Sequence, residues 1–459
     1  MPDAVIRFRC AVKYFEWIKA RLKKNGRCGI VETTYLQTVK KGWVLMLDIN
    51  TINISEKNKN ILTILNHIIH AGEAMAADIV SATGLSIATV SRTLVLLKNL
   101  DIVISKGKEI TEMGRHPDVF SLNNKYGYLL HFYMGSDFIK GYLTDLCGNI
   151  LGTNTVEIMR DITIDEFIVR IKACKDALVR NKKSYRKLIA ASIAVPGFVD
   201  DNNKIIKRIP NIYNFEGVNL FDYIHDALGI PVIIHNEARL SAVGEHIHSH
   251  FDRSNMIYID FTKYRGIGAG IILDGKLYTG INSYAGEVGD ILVDVHNFDQ
   301  SREGDEGFLE RMAGIGTLIE KINGLTEKGH AQIMRGMLLK SGKKELDLEM
   351  IERAVLEQDM DVTEVFDETM KMWTMAIINL GVILDPELII LGGELNGNNT
   401  VVLSRIKHYM KKIMYYDMDI RLSAEGENAQ LFGGIQLLKK YVYNNILAKK
   451  ILEDETGTA

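Results

Sequence analysis

Residues 83–94 read TGLSIATVSRTL, from Thr83 to Leu94. Gly84 can turn the chain in a tight corner, and Ser86 is a good helix N-cap because its hydroxyl can accept one of the unpaired N–H groups of the first turn. A helix is therefore predicted from Ile87 to about Asn99. On it Val90, Leu94 and Leu97 share one face while Ala88, Thr89 and Arg92 share the other. Upstream, a second helix is predicted from about Glu73 to Thr83. Before that, Ile61, Leu62, Leu65, Ile68 and Ile69 recur at helical spacing until Gly72 stops the run. Downstream, IVISKG (102–107) and KEITEM (108–113) are two short β-rich runs around a glycine, and GRHPDVFSLN (114–123) leads away through Pro117. Three short helices and a hairpin thus stand in sequence.

This order and spacing predict a winged helix-turn-helix that reads DNA. The small polar face of the third helix would lie in a major groove, with its start directed at phosphates and Thr89 and Arg92 over base edges. The bland alternative is a three-helix bundle with one solvated face.

At 459 residues, 47% apolar and 25% charged, the chain is long enough for two or three packed domains. No apolar run is long enough to cross a bilayer and the N-terminal stretch has no apolar core of a secretory signal, so a cytoplasmic location is expected. Cys10, Cys28, Cys147 and Cys174 are scattered, which suggests neither a disulfide framework nor a thiolate metal site. The net charge of −3 hides a basic segment over residues 1–50 and an acidic excess after about residue 120. The expected division is an N-terminal extension of unknown role (1–50), the winged helix-turn-helix (51–120), a sensor domain of two lobes (121–450) and a polar, frayed tail (451–459).

From Tyr128 the texture becomes strands alternating with amphipathic helices, an α/β domain, and it recurs in the second half, so two similar lobes are expected. TGLSIATVSRTL followed by GRHP (114–117) resembles the DNA-binding end of repressors of the ROK (repressor, ORF, kinase) family. Residues 128–447 resemble the family's body, an actin-like fold of the sugar kinase/hsp70 type whose lobes close over a sugar and, in its enzymes, over ATP. The resemblance implies DNA contacts from Ser86, Ala88, Thr89, Ser91, Arg92 and Arg115. In AVPGFVD (194–200), IPNIYNFEG (209–217), VIIHNEARLSAVGEH (232–246) and AGEVGD (285–290) it implies sugar-binding roles for Asn211, Asn236, Glu237, Glu287 and Asp290. Glu237 stands where the family has its catalytic Asp, so its role as base is expected to be vestigial. RGIGAGIILDGKLYTG (265–280) and LGGEL (391–395) occupy the places of nucleotide loops, with Gly266, Gly268, Gly270, Gly392 and Gly393 as candidates. Taken alone, such glycines equally suit a bend feeding a strand.

The departures from the family pattern matter as much. Asp290 replaces the family's His, and HNFDQSREGDEGFLE (296–310) has none of the cysteines of its zinc motif, so no metal is expected. MGSDFIKG (134–141) lacks the glycines of the first phosphate loop, so bound ATP and kinase activity are not expected. The resulting expectation is a transcriptional regulator of sugar metabolism, a homodimer or higher homo-oligomer, whose partners are operator DNA and a small-molecule sugar effector, with no membrane contact. The alternatives are an active ATP-dependent sugar kinase carrying a DNA-binding appendage, and a scaffold that binds no sugar.

Overall fold

The Ser55 hydroxyl accepts the N–H of Asn58 and opens α1 (Glu56–Ala71), which buries Ile61, Leu62, Ile64, Leu65 and Ile68 and stops at Gly72 with φ of 70°. The computed structural model describes residues 55–456 except 107–109, 112, 113, 116, 117, 136, 160, 181–186, 201–204, 210–214, 249–252, 264, 265, 295–306, 344 and 427. The extension expected at 1–50 lies outside them. The second helix is shorter than its sequence suggests. Glu73–Met75 forms a strand, β1, and only Ala76–Thr83 is helical (α2). Tertiary pairing overrides local preference here, because Ala74 is buried opposite Phe120 and Glu73 forms an ion pair with Lys106.

Gly84 adopts the left-handed conformation at φ 72°, and the Ser86 hydroxyl accepts the Thr89 N–H at 3.2 Å to start α3 (Ile87–Asn99). There follow β2 (Val103–Ser105), the short pair β3 (Ile110–Thr111) and β4 (Gly114–Arg115), and β5 (Val119–Leu122). The stretch read as leading away therefore returns. β5 is the central strand of a sheet ordered β1-β5-β2, and it runs across residue 120, where a domain division was expected.

The body is built of two five-stranded sheets with the same wiring. The first comprises β6 (Tyr128–Met134), β7 (Phe138–Asp145), β8 (Ile150–Glu157), β9 (Leu188–Val195) and β12 (Val232–Asn236), in the order β12-β9-β6-β7-β8. The second comprises β13 (Met256–Phe261), β14 (Ile267–Leu273), β15 (Lys276–Tyr278), β16 (Leu388–Gly393) and β17 (Ile420–Leu422), ordered β15-β14-β13-β16-β17. In each, an antiparallel meander of three strands is extended by two parallel strands, so two similar lobes are present as expected. A small hairpin, β10 (Phe198–Asp200) and β11 (Ile205–Arg208), projects from the first lobe.

Helices α4 (Ile164–Val179) and α5 (Leu220–Leu228) cover the first sheet. The second packs on α7 (Phe308–Ala313), α8 (Ile315–Glu327), α9 (Gln332–Ser341), α10 (Leu348–Leu356), α11 (Met360–Leu384) and α12 (Thr400–Ile413). Between the lobes, α6 (Glu237–His248) follows β12 and α13 (Asn428–Tyr441) follows β17, and the two helices touch backbone to backbone. A Cβ on Gly244 would stand 1.9 Å from the Ala429 carbonyl oxygen, and one on Gly433 would stand 1.9 Å from that of Leu240. Only glycine allows this crossing.

After α13 the chain passes through a π-helical turn (Val442–Leu447) into α14 (Ala448–Thr456). The tail expected to fray from residue 451 is thus helical through 456, and Ile451 is fully buried. The reason is an apolar core shared across the molecule: Tyr443, Leu447, Ala448 and Ile451 pack in one cluster with Leu65, Ile68, Val90 and Leu97 of the N-terminal helices.

Candidate functional site

On α3, Val90, Leu94 and Leu97 are buried while Ser86, Ala88, Ser91 and Arg92 are exposed and Thr89 is half-buried. Thr89 is held by Ser86, both through its N–H and through a 2.9 Å contact between the two hydroxyls. Ile87 and Val95, each 58% exposed, add apolar surface to the helix, and Val95 lies three residues from Arg92. Arg115 lies on β4, but its side chain is outside the described residues.

The second site lies between the lobes, where β12 ends at Asn236 and α6 begins at Glu237. Asn236 is buried and bonded through both ends of its amide. Its amide donates 2.8 Å to the Gly197 carbonyl in the Pro-Gly loop, and its oxygen accepts the Arg239 N–H at 3.2 Å, capping the helix. Glu237 is buried, and burial, reinforced by the charge of Asp260, pushes its carboxyl up to about 8 although a hydrogen bond from Tyr133 acts in the opposite sense. Asp260, at the end of β13, is raised to about 7 by burial and by Glu394. Tyr133 comes from β6, Glu237 from α6, Asp260 from β13, and Glu394 follows β16. Both sheets therefore deliver acids or a phenol to one place, at the carboxyl ends of their central strands.

The loop carrying Glu287 and Asp290 is drawn to this place by Arg239, which is 1% exposed. Its guanidinium donates to the Val199 carbonyl of β10 at 3.4 Å and to the Ser283 carbonyl, joining the first lobe to the loop. The rings of Phe198 and Tyr284 meet edge to face at 5.4 Å beside it. Glu287 is half-buried at the start of a 3-10 turn (Val288–Asp290), and the Tyr284 hydroxyl donates to the Asp290 carboxylate. Of the residues expected to line a sugar cleft, Asn236 and Glu237 stand side by side with the Glu287 loop held near them. Asn211 lies outside the described residues.

The sequence reading missed Tyr133, Arg239, Asp260 and Tyr284. A signal existed for Asp260, a lone acid closing the apolar run NMIYIDF (255–261), because a charged group there must end in a cleft or gain a partner.

The glycine candidates serve packing. Gly268 and Gly270 lie inside β14, and a Cβ on Gly270 would fall 2.3 Å from the Ala242 Cβ and 2.5 Å from the Ala238 oxygen, so they let α6 lie on the sheet. A Cβ on Gly266 would fall 2.9 Å from the Thr262 hydroxyl, and one on Gly392 would fall 2.1 Å from that of Tyr258. Gly393, at φ 73°, donates its N–H to the Tyr258 hydroxyl at 2.9 Å. Other donors are likewise taken: Glu394 N–H by the Phe261 carbonyl at 2.8 Å, Ile267 N–H by Glu310 at 2.9 Å and Ala269 N–H by the Gly286 carbonyl at 2.7 Å. Between β6 and β7, where the glycines of a first phosphate loop were expected to be missing, Gly135 N–H donates to the Phe138 carbonyl at 2.9 Å. No cysteine lies near Asp290 in sequence, and among the described residues no group of three or more His, Cys, Asp or Glu side chains could hold a metal.

Comparison with known proteins places this geometry. The profile of the ROK family matches residues 132–441. The xylose repressor of Bacillus spizizenii is 32% identical over 277 residues, covering 58% of this chain and 68% of the repressor. That of Caldicellulosiruptor bescii is 24% identical over 391 residues, covering 83% of this chain and 96% of the repressor. Among solved structures, a ROK family transcriptional regulator described as a homologue of the E. coli MLC protein superimposes with a TM-score of 0.69 at 22% identity, covering 86% of this chain and 99% of that one. The body, two lobes of like wiring, has the actin-like fold of this group, and the chain belongs to the ROK family.

Proposed function

We propose that the protein is a sugar-responsive DNA-binding repressor: α1–α3 and their sheet act as a winged helix-turn-helix, and the cleft at Glu237 binds a sugar without phosphorylating it. The observation that carries this reading is the two-sided α3, with Val90, Leu94 and Leu97 buried and Ser86, Ala88, Ser91 and Arg92 presented to solvent behind the Gly84 corner. Similarity to proteins named xylose repressor extends over 391 residues, well beyond the body, and makes xylose the first sugar to try. Two copies would read adjacent half-sites, and the sugar would act by changing how the reading helices are spaced.

The occupied N–H groups of the glycine segments support a cleft that takes no nucleotide. A triphosphate bound there would have to displace the internal partners of Gly393, Glu394 and Ile267 and sit beside Asp260 and Glu394, whose charges repel it. What remains is suited to a polyol. Glu237, held protonated by its surroundings, can donate as well as accept, and carboxyl groups at Glu287 and Asp260 offer acceptors for sugar hydroxyls.

The test is fluorescence anisotropy with DNA selected by the protein itself. Arg92→Ala should weaken binding by about 1–3 kcal/mol while leaving the circular dichroism and melting temperature unchanged. Unaltered affinity would remove α3 from the interface. In parallel, incubation with ATP and xylose or hexoses should release no ADP above background, and sustained turnover would overturn the sensor-only reading.

A further inference from the structure

We propose that the junction between the N-terminal unit and the body is a second ligand site, one that takes a small organic anion with a carboxylate or phosphate head. A cavity of about 220 Å³ lies there, distinct from the Glu237 cleft. Ile68 and Ile69 of α1, Ile104 of β2 and Leu122 of β5 line one side, and the body contributes Lys439 of α13 and Asn149. At about 30 Å³ per water, the space suits a ligand of roughly ten non-hydrogen atoms or fewer.

Two polar groups in the lining point to the charge of that ligand. Lys439 is only 7% exposed, and its ammonium donates to the Cys147 carbonyl at 2.8 Å. An ammonium has three N–H donors, and among the described residues no carboxylate stands within ion-pair distance of this one. The acid that faces it, Asp145, is already engaged: it accepts the Cys147 and Asn149 N–H groups, each at 2.9 Å, and the Asn149 amide at 2.8 Å. Burial accordingly lowers the Lys439 pKa. A buried ammonium without a paired anion is a costly arrangement. The second group is Ser121, 5% exposed, whose hydroxyl has no hydrogen-bond partner among the described residues. One anionic head would satisfy both, and the isoleucines would cover a short apolar body.

The two sides of the cavity belong to different parts of the protein, so a ligand bridging them would favour one placement of the N-terminal unit on the body. Its regulatory consequence rests on the DNA-reading function proposed above. The binding itself does not.

The experiment uses the full-length protein without DNA first. Inorganic phosphate, glycerol 3-phosphate, butyrate and hexanoate are titrated by calorimetry and thermal shift, with chloride at matched ionic strength as the reference. At least one of the four should bind saturably with one site per chain and raise the melting temperature. Lys439→Met should weaken that binding at least about tenfold, as expected for loss of a charge-assisted contact. Ile104→Phe, which narrows the space while leaving Lys439 in place, should weaken it independently and guards against a folding defect in the first variant. Saturable binding by none of the probes, or binding that survives both substitutions, would overturn the proposal. With the bound probe present, affinity for selected DNA should then change, and saturable binding that leaves it unchanged would overturn the regulatory role. Failure to bind DNA at all would count against the function above, because the site is judged by calorimetry alone.

Discussion

Glu237 and Asp260 bring two buried carboxyl groups, one from the start of a helix and one from the end of a strand, close enough for the charge of Asp260 to add to burial in holding Glu237 protonated. The pair joins the two lobes at the point where the central strands of both sheets end.

Its first consequence is a pH dependence of stability. In the unfolded chain these groups titrate near the ordinary values of 4.5 and 3.8, whereas in the fold they stand at about 8 and about 7. The folded state therefore binds more protons across this interval. The contribution of the pair is most favourable below about pH 4 and is lost as pH rises through the folded values, by up to about 1.4 kcal/mol per pH unit and group. Melting curves from pH 6 to pH 8.5 should show a decline that Glu237→Gln makes shallower, with the variant gaining on the wild type toward pH 8.5. Parallel pH profiles would contradict the pairing.

A second prediction concerns the crossing of α6 and α13. Gly244→Ala or Gly433→Ala would drive a methyl group to within 1.9 Å of a backbone carbonyl oxygen. Alanine's better helix propensity, about 1 kcal/mol, cannot compensate for such an overlap. Each variant should lose about 1–3 kcal/mol in denaturant titrations, and unchanged midpoints would show that the helices stand further apart.

Arg239 carries the third. Replacing it with Met removes the bonds to Val199 and Ser283 that hold the Glu287 loop against α6. Hydrogen exchange across residues 281–290 should accelerate, by about tenfold for each 1.4 kcal/mol of local stability lost. Exchange that stays as slow as in the wild type would assign the loop's position to other contacts.

A fourth follows from α14. Ile451→Ala should cost about 2–5 kcal/mol, because its side chain is fully buried in the core that also contains Leu65, Ile68 and Leu97. The damage should extend to the N-terminal helices. Loss of exchange protection in α1, far away in sequence, is the readout that a frayed tail would not produce.

Legibility in the sequence tracked how local the determining interactions are. The Gly84 corner, the Ser86 cap and the spacing of Val90, Leu94 and Leu97 are settled within one helix, and α3 begins where they place it. Strand β1 was hidden because its partner, β5, is more than forty residues away and only three residues pair. Ile451 was hidden because the polar run EDETGTA that follows it reads as a solvated tail, although Leu447, Ala448 and Ile451 already recur at helical spacing. The packing role of Gly268 and Gly270 becomes visible only when α6 is laid on β14. At the cleft, Asn236 and Glu237 were singled out by the resemblance of VIIHNEARLSAVGEH to the family's motif, whereas Asp260 and Arg239 act across sequence distances that no motif spans.

The most direct measurement of the central claim is selection of DNA from a random pool by the full-length protein, repeated with xylose and other candidate sugars. Enrichment of one sequence, bound more weakly once a sugar is present and weakly throughout by Arg92→Ala, is the predicted result. No enrichment under any condition, or an enriched sequence held equally by the Arg92→Ala protein and indifferent to every sugar, would contradict it.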